Sequence, residues 1–192
     1  MSVDSDTRNE HDRILIKNDM MYKHHLVRFN YTTYDVRRGQ DVINPNTQHH
    51  NVMVLSQPED NNAHGSPFWY ARVLGIYHVN IVYNAPTNGM LDYRPRRLEF
   101  LWVRWYSNSA PMHGWEASQL DRVQFPPVAH ENAFEFIDPK VVLQACHMIP
   151  AFSSGRRHAD GVGISRCAKD SQDWCAYYVM RYVWFYMLYR NP

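Results

Sequence analysis

Short apolar runs separated by polar turns predict a chain built mainly of β-strands. Residues 26–34 alternate loosely and are rich in β-branched and aromatic side chains, which is typical of a strand. Residues 52–55 form a continuous apolar run that fits a buried strand. Residues 68–73 and 76–83 predict two more strands, with Gly75 between them as a bulge or kink. Several short strands in this order predict a small barrel or sandwich.

The segment 98–106 (LEFLWVRWY) is the strongest strand signal in the chain. One face carries Leu98, Phe100, Trp102 and Arg104, and the other carries Glu99, Leu101, Val103 and Trp105. Because both faces are mostly apolar, we predict that this strand is central in its sheet, with Trp102 in the core.

Helical signals are short. Asp138 followed by Pro139 is typical of an N-cap with proline at the first helical position. Either a short helix over residues 141–145 or a bent strand running to Ile149 would follow. Aromatic residues at helical spacing make a C-terminal helix compatible with residues 173–189.

These patterns divide the chain into three predicted parts. Residues 1–13 are polar and charged, which is typical of a disordered tail. Residues 14–170 are predicted to form the small β-barrel domain, and residues 171–192 a helical or irregular extension. A chain of 192 residues can bury its own core without disulfides or metal.

Composition narrows the class of protein. The net charge is +1, so no global field attracts nucleic acid, and any basic contact surface must be local. Three cysteines do not make a disulfide framework and indicate a reducing compartment. The polar N-terminus does not read as a signal peptide, and residues 177–189 are too short to span a bilayer. We therefore expect an intracellular protein without a membrane partner.

Catalytic and cofactor motifs are missing from the sequence. The 11 histidines include two adjacent pairs, whose side chains would point to opposite faces of a strand. Neither H-E-x-x-H, C-x-x-C, G-x-S-x-G nor a phosphate-binding glycine loop occurs. Cys146 lies in an apolar segment and is expected to be a buried, inert thiol. We predict no catalytic residue, no metal ligand and no cofactor, although a metal site assembled from distant residues stays open.

Two sets of residues are candidates for contact with a ligand. The basic clusters comprise Arg37 and Arg38; Arg94, Arg96 and Arg97; and Arg156 and Arg157. They would contact phosphates if they shared a face, and otherwise are solvated loop charges. The aromatic candidates are Trp69, Tyr70, Tyr77, Trp105 and Tyr106. Such rings form either a binding surface, such as a cage for methyl-lysine, or ordinary core packing.

The order of segments resembles that of a bromo-adjacent homology (BAH) domain. The similar elements are residues 71–73 (ARV), residues 104–106 (RWY), and residues 146–149 (CHMI) after the acidic-proline turn. Domains of this family are β-barrels that contact nucleosomes, histone tails or other chromatin proteins. The resemblance implies a BAH-like β-barrel, a nuclear setting and a partner among histone tails, nucleosomes or DNA.

Longer phrases resemble a segment near the C-terminus of basidiomycete fungal proteins of Plavaka-type DNA transposons, in the CACTA group. They are residues 30–56, 67–83, 96–106, 149–170 and 173–183. The catalytic acidic residues of that family have no counterpart in this chain. The resemblance implies a transposon-derived, non-enzymatic module associated with chromatin or DNA, or with other proteins. Two alternatives stay open, namely a metal-dependent nuclease or hydrolase and a structural segment packed against the rest of a transposase.

Overall fold

The computed structural model describes residues 14–32, 38–56, 67–83, 86–87, 90–91, 93–108 and 120–180. In these residues the chain is mainly β, as predicted. The strands are β1 (Ile14–His24), β2 (Val27–Thr32), β3 (Arg38–Ile43), β4 (Asn51–Leu55), β5 (Phe68–Tyr83), β6 (Pro86–Thr87), β7 (Met90–Leu91), β8 (Arg96–Trp105), β9 (Ser107–Asn108), β10 (Arg122–Gln124), β11 (Phe134–Ile137), β12 (Val142–Ala145), β13 (His147–Pro150) and β14 (Tyr177–Met180). Single 3-10 turns cover Glu131–Ala133, Pro139–Val141, Phe152–Ser154 and Asp170–Gln172.

The long strand β5 organises the central sheet. Its first half pairs with β4, its second half pairs with β1, and β8 pairs along its other side. The register shifts between Val73 and Gly75, which confirms the predicted irregularity at Gly75. The two strands predicted here are therefore one continuous strand, in which the bulge replaces a break.

The central sheet lies between two other layers. On one face, Val52, Val73 and Leu101 pack with Ile43 from the β2–β3 hairpin. On the other face, Met53 and Tyr70 pack against a second sheet of order β13-β14-β10-β9; this second core also includes Phe68, Tyr106, Val123, Phe125, Met148, Tyr177 and Val179. Burying both faces explains the continuous apolar character of β4, β5 and β8.

Closure of the sheet into a barrel was expected and is not found in the described residues. The central sheet runs in the order β11-β8-β5-β4-β12, and its two outer strands do not pair with each other. The described strands form open sheets that pack face to face, and their hydrogen bonds do not close into a barrel. The central position of the strand predicted at residues 98–106 is confirmed, since β8 lies between β5 and β11.

Two other expectations need correction. Trp102 is half-buried outside the core, where it stacks on Phe134 with ring centroids 5.5 Å apart. The helix proposed over residues 173–189 is wrong for Tyr177–Met180, which is strand β14; residues 181–192 lie outside the described residues. Tyr177 and Val179 are buried whereas Tyr178 and Met180 are half-buried, a period of two that belongs to a strand.

The segment after Asp138 takes the strand alternative. The Asp138 carboxylate accepts a hydrogen bond from the backbone N–H of Lys140, so the predicted cap is present. It caps only the 3-10 turn Pro139–Val141, after which the chain extends into β12 and β13. The disordered tail predicted for residues 1–13 lies outside the described residues.

Candidate functional site

A row of aromatic rings covers part of the central sheet beyond the reach of the second sheet. We call this surface the aromatic patch; it comprises Tyr77 on β5, Phe100 and Trp102 on β8, and Phe134 and Phe136 on β11. Tyr77 stacks on Phe100 at 5.8 Å, and Phe100 meets the edge of Phe136 at 5.4 Å. The centroids of Trp102 and Phe136 are 4.5 Å apart. The patch is therefore one contiguous surface across three neighbouring strands.

The aromatic patch is open to solvent at its outer edge. Phe136 is 60% exposed, and Leu98, which follows the same face of β8, is 48% exposed. Arg96 is two residues from Leu98 and so has the same side-chain direction on β8. The patch ends at β11, whose far edge pairs with no other strand among the described residues. One exposed ring among four half-buried ones, an adjacent arginine and a strand edge unpaired among the described residues are features of protein-recognition surfaces.

The aromatic residues predicted as a binding surface do not all meet. Tyr77 belongs to the aromatic patch, whereas the other four lie toward the opposite end of β5 and β8. Tyr70, Trp105 and Tyr106 are almost fully buried, so their rings serve mainly as core. Only Trp69 of these four is half-buried, and it meets Trp105 edge-on at 5.5 Å.

A cleft of about 540 Å³ opens beside these buried rings. Its walls include Trp69, Trp105, Phe125 and the Pro126–Pro127 pair. The indole N–H of Trp105 donates to Glu135 Oε2 at 2.8 Å. The indole N–H of Trp69 is buried without an acceptor among the described residues.

The predicted basic clusters are split between the two ends of β8. Arg94, Arg96 and Arg97 precede or begin the strand, and Arg97 forms an exposed ion pair with Glu99. Arg157 lies near the other end, because its backbone N–H donates to Asp173, whose carboxylate pairs with Arg104. Arg104 lies seven positions after Arg97 along the strand, a distance of about 23 Å.

The remaining basic candidates do not join the arginines at either end of β8 into one surface. Arg156 is exposed and stacks its guanidinium over the Trp174 ring at 5.3 Å. Arg38 begins β3, but its side chain is outside the described part, as is the whole of Arg37. The arginines whose side chains are described therefore do not form one phosphate-binding face.

A buried ion network was missed by the sequence reasoning. The Asp173 carboxylate accepts hydrogen bonds from Arg72 Nη1 and Arg104 Nη1, both at 2.6 Å. Arg104 and Asp173 are fully buried, and Arg72 is 8% exposed. The Phe125 ring lies under both guanidinium groups, at 4.4 Å from Arg72 and 3.9 Å from Arg104. The network joins β5 and β8 of the central sheet to the segment leading into β14.

This network carries more positive than negative charge. Two guanidinium groups share one carboxylate, and the Phe125 ring offsets part of the excess by cation–π attraction. Burial lowers the pKa of Arg104, and the Asp173 charge opposes that effect. Nε and Nη2 of Arg104 and Nε of Arg72 have no hydrogen-bond partner among the described residues. The site is therefore held by ion pairing but is not electrically neutral.

Metal and thiol chemistry find little support in the described residues. No group of three or more His, Cys, Asp or Glu side chains there is arranged to hold a metal ion. His24 Nε2 and His78 Nδ1 lie 2.6 Å apart, so one imidazole donates to the other. Burial raises the pKa of the Cys146 thiol far above its ordinary value, which disfavours the reactive thiolate.

No helix in the described part is long and apolar enough to cross a membrane.

Comparisons of the chain with protein-family models, curated proteins and solved structures found no match. The resemblances to a BAH domain and to transposon proteins therefore stay predictions.

Proposed function

We propose that this chain is a non-enzymatic protein-interaction module that binds an extended peptide segment of a partner across the aromatic patch. The observation that carries the proposal is the row of five neighbouring rings that ends, with Phe136 60% exposed, at the edge of β11 that no other described strand pairs with. A peptide strand added to that edge would satisfy backbone groups of β11, while alternate side chains would lie on the rings.

The chemistry of the patch favours a peptide over duplex DNA. Aromatic residues with one flanking arginine are typical of the energetic centre of protein interfaces. The separation of the arginine clusters by about 23 Å along β8 leaves no continuous basic face among the described side chains. Following the BAH resemblance, we propose a histone tail as the source of the peptide and the nucleus as the setting, in a module derived from a fungal DNA transposon.

The test is a binding measurement with the full 192-residue chain. Fluorescently labelled histone-tail peptides, unmodified and lysine-methylated, would be titrated by anisotropy, and a random peptide library would be selected in parallel. The matched pair of variants is Phe136→Ala in the patch and Phe152→Ala outside it, where Phe152 is 67% exposed and packs edge-on against Trp174. Both remove an exposed phenyl ring, and only the first lies on the aromatic patch.

We expect Phe136→Ala to weaken peptide binding by about tenfold, which is the effect of losing roughly 1.4 kcal/mol of apolar contact. Phe152→Ala should change the affinity less than twofold. Selection of peptides that bind both variants equally would refute the role of the patch. Binding to duplex DNA alone, with an affinity that falls steeply with salt, would instead favour the nucleic-acid version.

A packing role within a larger transposase is the second candidate, favoured by exposed apolar side chains on β1. Ile14, Leu15 and Ile16 are 44%, 52% and 46% exposed, an unusual run for a strand in a stable monomer. If β1 is a packing surface, the isolated chain should self-associate with increasing concentration in sedimentation velocity. Leu15→Ser should reduce that association without affecting peptide binding at the patch.

A further inference from the structure

A second cleft lies beside Tyr106 on the face that packs against the second sheet. Its volume is about 410 Å³, and we call it the cationic cleft; its chemistry-bearing walls are His50, Arg72, Lys169, Gln172, Asp173 and Tyr177. None of these residues belongs to the aromatic patch. The 3-10 turn Asp170–Gln172 and the start of β14 supply one wall.

The charges around the cationic cleft do not balance. Asp173 is the carboxylate of this cleft, and it is shared by Arg72 and by Arg104 behind it. Lys169 brings a third cation, whose Nζ donates to two neutral acceptors, Pro45 O at 2.6 Å and Asn46 Oδ1 at 3.1 Å. Arg72 and Lys169 therefore line the cleft with one carboxylate, and Arg104 draws on that same carboxylate from behind. Such an excess in a partly enclosed site attracts a negatively charged ligand.

His50 does not add to this charge. Burial lowers the pKa of His50 to about 4, and the neighbouring Arg72 acts in the same direction. The imidazole is therefore neutral at physiological pH. In that state its one N–H is engaged by the Thr47 backbone, so His50 lines the cleft without adding a cation.

Two further features point to a ligand at this place. The side chain of Arg72 is 10% exposed, and its Nε–H is buried without a partner among the described residues. Lys169 has a φ of 52°, in the left-handed region that a lysine seldom adopts. Backbone strain of this kind is concentrated at binding sites.

We propose that the cationic cleft binds an oxyanion, either a phosphate group or a carboxylate, between Arg72 and Lys169. Arg72 Nη1 donates to Asp173 and Nη2 to the Tyr177 hydroxyl at 3.4 Å, so its Nε–H is the donor left for one oxygen of such a group, and the Lys169 ammonium adds a compact charge. The Gln172 amide lines the same wall and can donate a hydrogen bond. This site is separate from the proposed peptide surface, so each can fail without the other.

The experiment is an NMR titration of the ¹⁵N-labelled full chain with inorganic phosphate, acetate or chloride at constant ionic strength. The Arg72 Nε–H signal, assigned by its loss in Arg72→Lys, reports on the cleft. The charge of Lys169 is removed with Lys169→Asn, because asparagine accepts a left-handed φ more readily than lysine. The matched control is Lys140→Asn, an exposed lysine outside the cleft.

We expect saturable shifts of the Arg72 Nε–H signal with phosphate or acetate, and none that saturate with chloride. Lys169→Asn should weaken binding about tenfold, and Lys140→Asn less than twofold. Tighter binding of phosphate would identify a phosphorylated ligand, and tighter binding of acetate would identify a peptide carboxylate. Linear shifts shared by all three anions, or equal binding by both asparagine variants, would overturn the proposal and leave Arg72 as a structural residue.

Discussion

Replacing Asp173 with asparagine tests the energetic role of the buried network most directly. The side chain keeps its size and one acceptor oxygen, but the charge shared by Arg72 and Arg104 is lost. Both ion pairs are 2.6 Å long, and the Asp173 and Arg104 side chains are 1% and 0% exposed. Removing one partner from a buried pair costs about 3–5 kcal/mol, because the other charge stays uncompensated. Two cations lose their counter-charge here, so we expect a loss within or above that range.

Such a loss is large against the whole stability of a domain, which is about 5–15 kcal/mol. For a chain of this size, each 1 kcal/mol shifts Tm by about 2–4 °C, so Asp173→Asn should lower Tm by roughly 6–20 °C. Urea denaturation followed by tryptophan fluorescence gives the free energy of unfolding. The control is Glu99→Gln, which breaks an ion pair whose side chains are 53% and 55% exposed and should cost less than about 1 kcal/mol.

A second substitution separates charge from packing. If the loss of stability in Asp173→Asn comes from uncompensated guanidinium groups, Arg104→Met should lower the free energy of unfolding less in that background than in the wild type. A loss below about 1 kcal/mol for Asp173→Asn, equal to that of the surface control, would refute the assignment of this network as a buried ion network. Additive losses in the double variant would refute the electrostatic explanation.

Two further predictions concern groups whose pKa is shifted by their surroundings. Burial raises the pKa of Asp170, but backbone N–H donors from Ser165 and Ile164 outweigh burial and hold that pKa below its ordinary value of 3.8. A lowered folded-state pKa stabilises the protein above about pH 4. We therefore expect Asp170→Asn to lower the free energy of unfolding by a constant amount near neutral pH, and by progressively less when denaturation is measured at more acidic pH. A cost that persists unchanged at pH 2 would contradict this. Cys146 is half-buried and its thiol pKa is raised, so it should resist iodoacetamide at pH 8 while the exposed Cys167 and Cys175 react, as mass spectrometry of the native chain would show; equal labelling of all three would contradict the raised pKa.

The positions of β2, β4, β5 and β8 were predictable because each of these strands has a clear local pattern. Apolar character on both faces of residues 98–106 was enough to place β8 inside its sheet, and Gly75 marked the irregularity of β5. The C-terminal error has a local cause as well. Aromatic residues between 174 and 182 fit a helical spacing, but Tyr177 and Val179 also fit a period of two, and the pairing of β14 with β10 and β13 selects that period.

The way in which the sheets stack on each other, by contrast, depends on tertiary contacts between their faces. The sequence does not reveal that the second sheet covers only one half of a central-sheet face. It therefore could not separate Tyr70 and Tyr106, which that sheet buries, from Tyr77, which it leaves half-exposed. Trp102 was misplaced for the same reason, since its apolar neighbours on β8 would have predicted a covered face. The predicted aromatic surface was thus divided by tertiary contacts between core and patch.

The basic residues show why adjacency in sequence is a poor guide to a charged site. Arg96 and Arg97 are neighbours in the chain, yet successive side chains of a strand point to opposite faces. Arg72 and Arg104 are far apart in the chain, yet they lie opposite each other on β5 and β8 and share one carboxylate. A signal for them was present, because an arginine inside a strand that is apolar on both faces must either reach solvent or find a buried partner. Charges that interrupt the most apolar strands are therefore the better starting point for a site in this chain, and they lead from Arg104 through Asp173 to Arg72 and the cationic cleft.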